Sequence, residues 1–527
     1  MWGLTRRWDG GWWLKLAGAL AVALLGDWLF FQRGSYGGTF GLVGFGIVAA
    51  LVLTRPAVRN DKRALIAAAL AVIAASGMVW DAHPLPFLLF WVVIGLATLL
   101  PGTARFDDGW RWFQRLLVHG LKSLFGPLID LAKLSKVRRQ NRTGKFPARQ
   151  AVKTLVLPLA GSAMILTLFA QANPLIEQFF AAFDLPSLDE ETFARLFVAG
   201  FLSFITFAVL RPRPPRFLFG TFDGRGEMTI PGVSLASVTL SLVLFNALFA
   251  MQNLMDSAFL WGGAKLPGDM TLADYAHRGA YPLLVTVLLA ALFVLVALRP
   301  GSATAQNPLV RKLVMVWIAQ NLFLVGSAAL RTWDYVESYD LTRFRIAALL
   351  WMGLVAVGLV LVLYRMLSNK SAGWLINANL ATSGALLLSL CFVDTGEIAA
   401  RWNVTHAREI DGTGAKLDFC YLQELGDSAL VPLAELELRQ GPSALGWQAK
   451  GLRRNAQEQL EWDQKHGEWT LLGESRLAEV ARLLGQKAGQ STGNGNGCYR
   501  DEEAADAPAS GTEAAVSAPA LTAPEEP

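Results

Sequence analysis

Through its first 393 residues the chain alternates long apolar runs with short polar gaps, and the runs are close to 20 residues each. An α-helix of that length crosses a hydrocarbon core of about 30 Å. Eleven segments qualify, near 12–31, 38–54, 64–80, 84–101, 152–171, 194–211, 233–254, 279–298, 311–331, 345–367 and 372–393. The second is the weakest helix former because of Gly37, Gly38, Gly41, Gly44 and Gly46. Glycine is tolerated better in lipid than in water, since it lets neighbouring helices approach closely. The pattern predicts an all-α polytopic transmembrane helix bundle of about 11 spans over residues 1–393.

Composition sharpens that picture. Of 527 residues, 53% are hydrophobic and 17% charged, against about 25% charged in a soluble domain, and the mean hydropathy is +0.37. A soluble multidomain enzyme, a disulfide scaffold and a disordered regulator are excluded. Charge then sets the orientation. With the N-terminus inside, the internal segments hold 26 Lys and Arg and the external loops hold 7. Cytoplasmic loops retain positive charge, so the expectation is a bacterial inner-membrane protein with its N-terminus cytoplasmic and its C-terminus external. Arg6 and Arg7 before the first run resemble the start of a signal peptide, but no clean cleavage site follows, and an uncleaved first helix is expected.

The polar segments differ in character. In the internal loop 102–151, Trp110, Phe113, Leu117, Leu121, Leu124, Leu128 and Leu131 step by three or four residues. They predict an amphipathic helix near 109–135 lying in the inner-leaflet interface. The basic cluster Lys133 to Arg149 follows, making 109–149 a candidate contact for anionic lipid; no nucleic-acid partner is expected. The acidic loop 172–193 suggests a short amphipathic helix through Ile176, Phe179, Phe180 and Phe183. Residues 394–487 read as a small external helical domain, with helices on either side of Gly426 and two more near 447–464 and 474–486. The tail 488–527, rich in Ala, Gly, Pro and acidic residues, cannot bury enough surface to offset its ordering entropy and should be disordered. Cys391, Cys420 and Cys498 all fall at or beyond the outer face, and Cys420 with Cys498 form the plausible disulfide.

Familiar catalytic signatures are missing. The five histidines show no metal-ligand spacing, and there is no phosphate-binding loop or nucleophile elbow. No catalytic residue, metal or cofactor is predicted. Polar residues at membrane depth are costly and therefore informative. Asn246, Asn253 and Asp256 share one face of the seventh span with Gln252 adjacent; the ninth carries Gln320 and Asn321, then Arg331 and Asp334 where it leaves the membrane. The loop before the eighth adds Asp274, Tyr275, His277 and Arg278. These twelve are the candidate ligand-binding residues. Interhelical hydrogen bonding and rim ion pairs, worth on the order of 1 kcal/mol each, are the competing explanation. In either case Arg278 is expected to find a carboxylate such as Asp256 or Asp334.

The stretch Phe245 to Phe249 with Gln252 and Asn253, then Asp274-Tyr275-Ala276-His277-Arg278-Gly279-Ala280-Tyr281, resembles a bacterial membrane family known only as domain of unknown function 4173, and its relative 4153. Arg331-Thr332-Trp333-Asp334-Tyr335, Asn403-Val404 and Asp418 to Leu422 extend the resemblance, which covers roughly 150–487. Tyr281 stands one residue later than the family's aromatic. The resemblance implies the architecture and names no substrate. The leading expectation is therefore a multi-pass protein that binds a small molecule, ion or lipid group from the outer face, as a transport or signalling component. The alternatives are a scaffold acting through residues 394–487 on a protein partner, and a membrane-embedded lipid or glycan transferase.

Overall fold

The structure is a computed structural model, and it describes residues 11–104, 106–126, 189–215, 217–220, 234–260, 289, 306–412 and 414–485. The expected spans 152–171 and 279–298, the loop 172–188, the basic cluster 133–149, the segment carrying Asp274, Tyr275, His277 and Arg278, and the tail with Cys498 lie outside the described residues.

All regular structure among the described residues is helical. Nine helices coincide with nine of the expected spans: α1 (Trp12–Asp27), α2 (Thr39–Thr54), α3 (Lys62–Trp80), α4 (Pro84–Leu99), α6 (Glu190–Leu210), α7 (Leu235–Leu260), α8 (Pro308–Tyr339), α9 (Arg343–Leu367) and α10 (Ala372–Leu390). Eight are long and apolar enough to cross a membrane; α2, at 16 residues, is shorter. Between α4 and α6 lies α5 (Gly109–Leu124), and after α10 come α11 (Thr395–His406), α12 (Phe419–Glu424), α13 (Leu430–Gln440), α14 (Ala444–Lys465) and α15 (Leu471–Leu484). Helix starts follow the expected chemistry. Asp61, Asp108, Asn307, Thr342, Ser371, Ser443 and Thr470 each accept a backbone N–H of the first turn, satisfying donors that a helix leaves open.

The membrane helices form two groups. In the first, α1 to α4 and α6 share a core of Ala, Gly, Val and Leu, joined by Trp112 of α5. The close approach of α2 to α3 depends on glycine: a Cβ at Gly38 would stand 2.9 Å from the Val79 carbonyl oxygen, and one at Gly41 2.9 Å from the Val79 nitrogen. Asp27, near the end of α1, receives two hydrogen bonds from Arg195 of α6, at 3.0 and 2.8 Å. The second group is α7 to α10, whose core runs from Val238 and Leu242 through Trp317 and Ile318 to Leu359, Val362 and Leu375.

Helix ends sort onto two faces. On one lie α5 and the end of α6: Gln114 exchanges two hydrogen bonds with the Phe219 backbone. The start of α10 is there too, through Asn377 to the Asp107 carbonyl at 3.1 Å. Trp112, Gln114 and His119 of α5 are buried, while Trp110, Phe113, Leu117 and Leu121 stay exposed as an apolar stripe. Burial together with Arg213 and Arg55 pushes the His119 imidazole down to about 4, so it is neutral near pH 7. On the opposite face the C-terminal helices α11 to α15 pack over the hairpin between α8 and α9 and touch the loop before α2, where Gly38 N–H donates to the Trp469 carbonyl at 2.5 Å. The turn at Gly426 adopts positive φ, +59°, which separates α12 from α13.

Candidate functional site

The polar seam of the second group is built on two parallel helices. Asn246 of α7 donates to the Leu313 carbonyl of α8 at 3.1 Å, and Asn253 to the Gln320 carbonyl at 3.1 Å, both across the same offset of 67 residues. A constant offset is the signature of helices running in one direction. Both asparagines lie on the α7 face that seven-residue spacing predicts. On α8 the buried face steps through Val310, Val314, Trp317, Asn321 and Leu324; Phe245 of α7 stacks on Trp317 at 5.8 Å and Phe249 meets it edge-on at 5.9 Å.

At the end of the seam nearer the C-terminal helices, Asp256 is 1% exposed and pairs with Arg331 of α8. Gln252 donates to the same Asp256 oxygen, Oδ1, at 2.9 Å. A carboxylate so deeply buried is tolerable only with such partners, because the charge loses its hydration. The second oxygen, Asp256 Oδ2, has no hydrogen-bond partner among the described residues.

The same holds along the seam. Asn246, Asn253 and Asn321 spend their amide donors on helix carbonyls, the last on Trp317 at 2.7 Å. Asn246 Oδ1, Asn253 Oδ1, Asn321 Oδ1 and Gln320 Oε1 are each buried without a donor among the described residues. Most buried polar atoms in folded proteins are hydrogen-bonded, so exceptions ask for an explanation. Five acceptor oxygens between two helices present a surface that can only receive hydrogen bonds or coordinate a cation.

Of the twelve sequence candidates, the structure brings Asn246, Gln252, Asn253, Asp256, Gln320, Asn321 and Arg331 to this seam. Asp334 is exposed and away from it. Asp274, Tyr275, His277 and Arg278 lie outside the described residues, and so does the expected pairing of Arg278. Among the described residues no cluster of His, Cys, Asp and Glu is arranged to hold a metal. Asp256 has its own cation, so it does not stand as the lone carboxylate that a transferase base would require.

Sequence reasoning missed a second polar centre, where the C-terminal helices meet the membrane helices. Arg476 of α15 is 4% exposed and binds Asp394, Asp427 (2.6 Å) and Glu397 (3.5 Å). Burial, the largest influence, would raise the Asp394 carboxyl, but Arg476, the Ser428 hydroxyl, the Gly396 N–H and the Arg343 charge together hold it below the usual range. The family-type residues serve the same junction. Asn403 exchanges two hydrogen bonds with Leu341, at 2.7 and 3.0 Å, and Tyr421 Oη accepts the Arg343 N–H at 2.8 Å. Asp340, in the hairpin at φ +69°, has its carboxyl pushed up to about 6, chiefly by burial. The signal for Arg476 was available: it interrupts the apolar stripe Leu472, Val480, Leu484 at helical spacing. Arg453 does the same on α14, where it is 1% exposed and pairs with Glu437 at 2.7 Å.

Cys391 is a free thiol and Cys420 is disulfide-bonded.

These features define a polytopic α-helical membrane protein with a buried polar seam and a C-terminal helical cap over one face. The chain belongs to the family described as a domain of unknown function, DUF4153, whose model matches residues 64–436. That is the second of the two families suggested by its motifs; the resemblance to 4173 is not matched, and the match reaches further toward the N-terminus than the motifs did. No curated protein and no solved structure matches the chain.

Proposed function

We propose that this membrane protein binds a small donor-rich solute or monovalent cation in the α7–α8 seam, entering from the face covered by the C-terminal helices. One observation carries the reading: five buried acceptor oxygens, on Asn246, Asn253, Asp256, Gln320 and Asn321, have no donor among the described residues. A ligand that supplies ammonium, hydroxyl or cationic groups would complete them. Leaving such atoms open costs about 1–3 kcal/mol each, so occupancy should stabilise the fold. The test is thermal unfolding of the full-length protein in detergent with ammonium or putrescine chloride, against choline chloride at equal ionic strength. A rise specific to the first two, lost in Asn253→Leu and Asn321→Leu, supports the seam as a site. Equal curves in all three salts would reduce it to interhelical hydrogen bonding.

The membrane is proposed to be the bacterial cytoplasmic one, with the N-terminus inside and α11 to α15 outside. The 26-to-7 distribution of Lys and Arg supports this. The described helices support an odd count, since α5 and the C-terminal helices lie at opposite faces. An alkaline-phosphatase reporter fused after Thr395 should be active, and a cytoplasmic fluorescent reporter there should stay dark. The exposed stripe Trp110, Phe113, Leu117 and Leu121 supports α5 as an interfacial helix in the inner leaflet. An external position also suits a disulfide, and with Cys391 free, Cys498 is the partner we propose for Cys420. Non-reducing peptide mapping should recover the two peptides linked.

A second reading, a scaffold engaging a protein partner through α11 to α15, is favoured by Trp447 and Trp462, 56% and 55% exposed on α14. Large exposed aromatics are enriched where partners bind.

A further inference from the structure

An arginine keeps its charge in any protein environment, and a buried one needs an anion or a set of acceptors. Most deeply buried arginines here have them. Arg331 pairs with Asp256, Arg453 with Glu437, and Arg476 with three carboxylates. Arg55 donates to the Thr98 carbonyl at 2.9 Å. Arg365 is the exception. It is 4% exposed, its Nε is buried without an acceptor, and its side chain makes no ion pair or hydrogen bond with any described residue.

Its position says what could complete it. Leu359, Val362 and Arg365 are the buried residues of α9, one stripe at three-residue spacing, and the first two join Val310 and Val314 of α8 and Leu375 of α10 in one apolar core. Arg365 closes that stripe in the last turn of α9, on the face that carries α5. Tyr364 beside it is 50% exposed and stacks on Trp374 of α10 at 5.3 Å, the aromatic arrangement found where a helix leaves the hydrocarbon. Arg311, Lys312 and Lys370 belong to the same end of the bundle. Among the described residues on this face, the acidic side chains are engaged, Asp61 by Arg63, Asp107 by Arg115 and Asp108 by Arg111. A cation at the membrane boundary, buried among apolar side chains and short of an acceptor, matches the oxygens of a phosphate group.

We infer that Arg365 is the anchor of a phosphate-binding site at the α5 face of the α8–α10 bundle, filled by an anionic phospholipid headgroup or by free phosphate. This site is separate from the α7–α8 seam, and neither depends on the other. Guanidinium donors would take two phosphate oxygens, and Lys370 in the following turn would add charge from the exposed side.

The experiment uses full-length protein in detergent, read by native mass spectrometry and thermal unfolding. The probes are phosphatidylglycerol, phosphatidylcholine, and sodium phosphate against sodium chloride at equal ionic strength. Wild type should retain phosphatidylglycerol at least tenfold over phosphatidylcholine and melt higher with it. Arg365→Met should lose both effects while melting no lower than lipid-free wild type, because an unpaired buried charge has been replaced by an apolar chain. Arg365→Lys should keep part of the lipid effect, and it serves as the second variant if the methionine protein does not fold. A shift with sodium phosphate equal to that with the lipid would assign the site to free phosphate. Equal retention of the two lipids with no phosphate response, or unchanged retention in both Arg365 variants, would overturn the site.

Discussion

The two groups of membrane helices use small and polar residues in opposite ways. In the first, glycines are points of contact: a Cβ would meet Thr54 at 2.9 Å from Gly18, Leu25 at 2.8 Å from Gly46 and Cys391 at 2.9 Å from Gly77. In the second, Gly326, Gly353 and Gly384 have nothing within 4 Å, and the approaches at Gly358 and Gly373 are looser, 3.2 and 3.3 Å. Burial follows the same division. Half of the apolar window is buried in α3, but only 11% in α9 and 6% in α10. The first group is held by close van der Waals packing, the force available to helices in lipid. The second adds asparagine amides and one ion pair to its apolar core. Buried carboxamide and carboxylate oxygens without a donor among the described residues therefore collect in the second group, most of them on α7 and α8.

The largest expected effect breaks the first group. Gly41→Leu drives a side chain into the α3 backbone at Val79, which cannot swing aside as a flexible side chain would. The expected result is little folded protein, beyond the 1–3 kcal/mol that is roughly typical of overpacking. Gly326→Leu, facing open space in α8, should melt close to wild type. Similar melting of the two in detergent would erase the contrast between the groups. Next comes the junction that ties both groups to the C-terminal helices. Arg476→Met leaves Asp394 buried without its main cation, with only the more distant Arg343 at 3.8 Å, and should cost about 3 kcal/mol or more. Because Arg476, with Ser428, the Gly396 N–H and Arg343, holds the Asp394 carboxyl low, this contribution is present above the ordinary carboxylate range and lost as pH falls through the lowered value. Melting curves of the variant from pH 7 to 3 should lack that loss.

Asp340 carries the opposite sign. A folded pKa of about 6 against an ordinary 3.8 means the folded state binds the extra proton. Stability from this group is present below about pH 4 and declines as pH rises through 6. Asp340→Asn should therefore stabilise at pH 7.5 by on the order of 1–2 kcal/mol and flatten the profile between pH 4 and 6. The smallest effect belongs to the seam. Asn246→Leu removes two hydrogen bonds and one orphaned oxygen together, and its melting temperature should change by less than about 1 kcal/mol equivalent. A large loss would mean that the seam is as tightly determined as the glycine contacts.

The helices were legible because hydropathy at membrane depth leaves few alternatives. Expected spans at 64–80 and 84–101 correspond to Lys62–Trp80 and Pro84–Leu99. Where the apolar run stopped but the helix did not, the reading fell short: α8 continues eight residues past Arg331, through Trp333, Tyr335 and Val336, because the C-terminal helices cover its end. Face sharing of Asn246, Asn253 and Asp256 followed from helical spacing, and the role of Arg331 as the cation for Asp256 did not. That pairing depends on α7 and α8 lying side by side in parallel, a long-range fact that no local period carries. Asp334 illustrates the limit: spacing of three keeps it near the face of Arg331, yet it lies where the helix runs past the seam and is exposed.

Helix α8 is a single rod of 32 residues, about 48 Å long at 1.5 Å per residue. It carries Gln320, Asn321 and Arg331 and ends in the hairpin whose Leu341 is clasped by Asn403. From Gln320 to that hairpin the arm is about 30 Å, so a tilt of roughly 5° at the seam displaces the far end by about 2.5 Å, comparable to the length of a hydrogen bond. The clasp at 2.7 and 3.0 Å has no slack to absorb such a swing. The rod works as a lever: whatever widens the gap between α7 and α8 must either drag the C-terminal helices with it or release them.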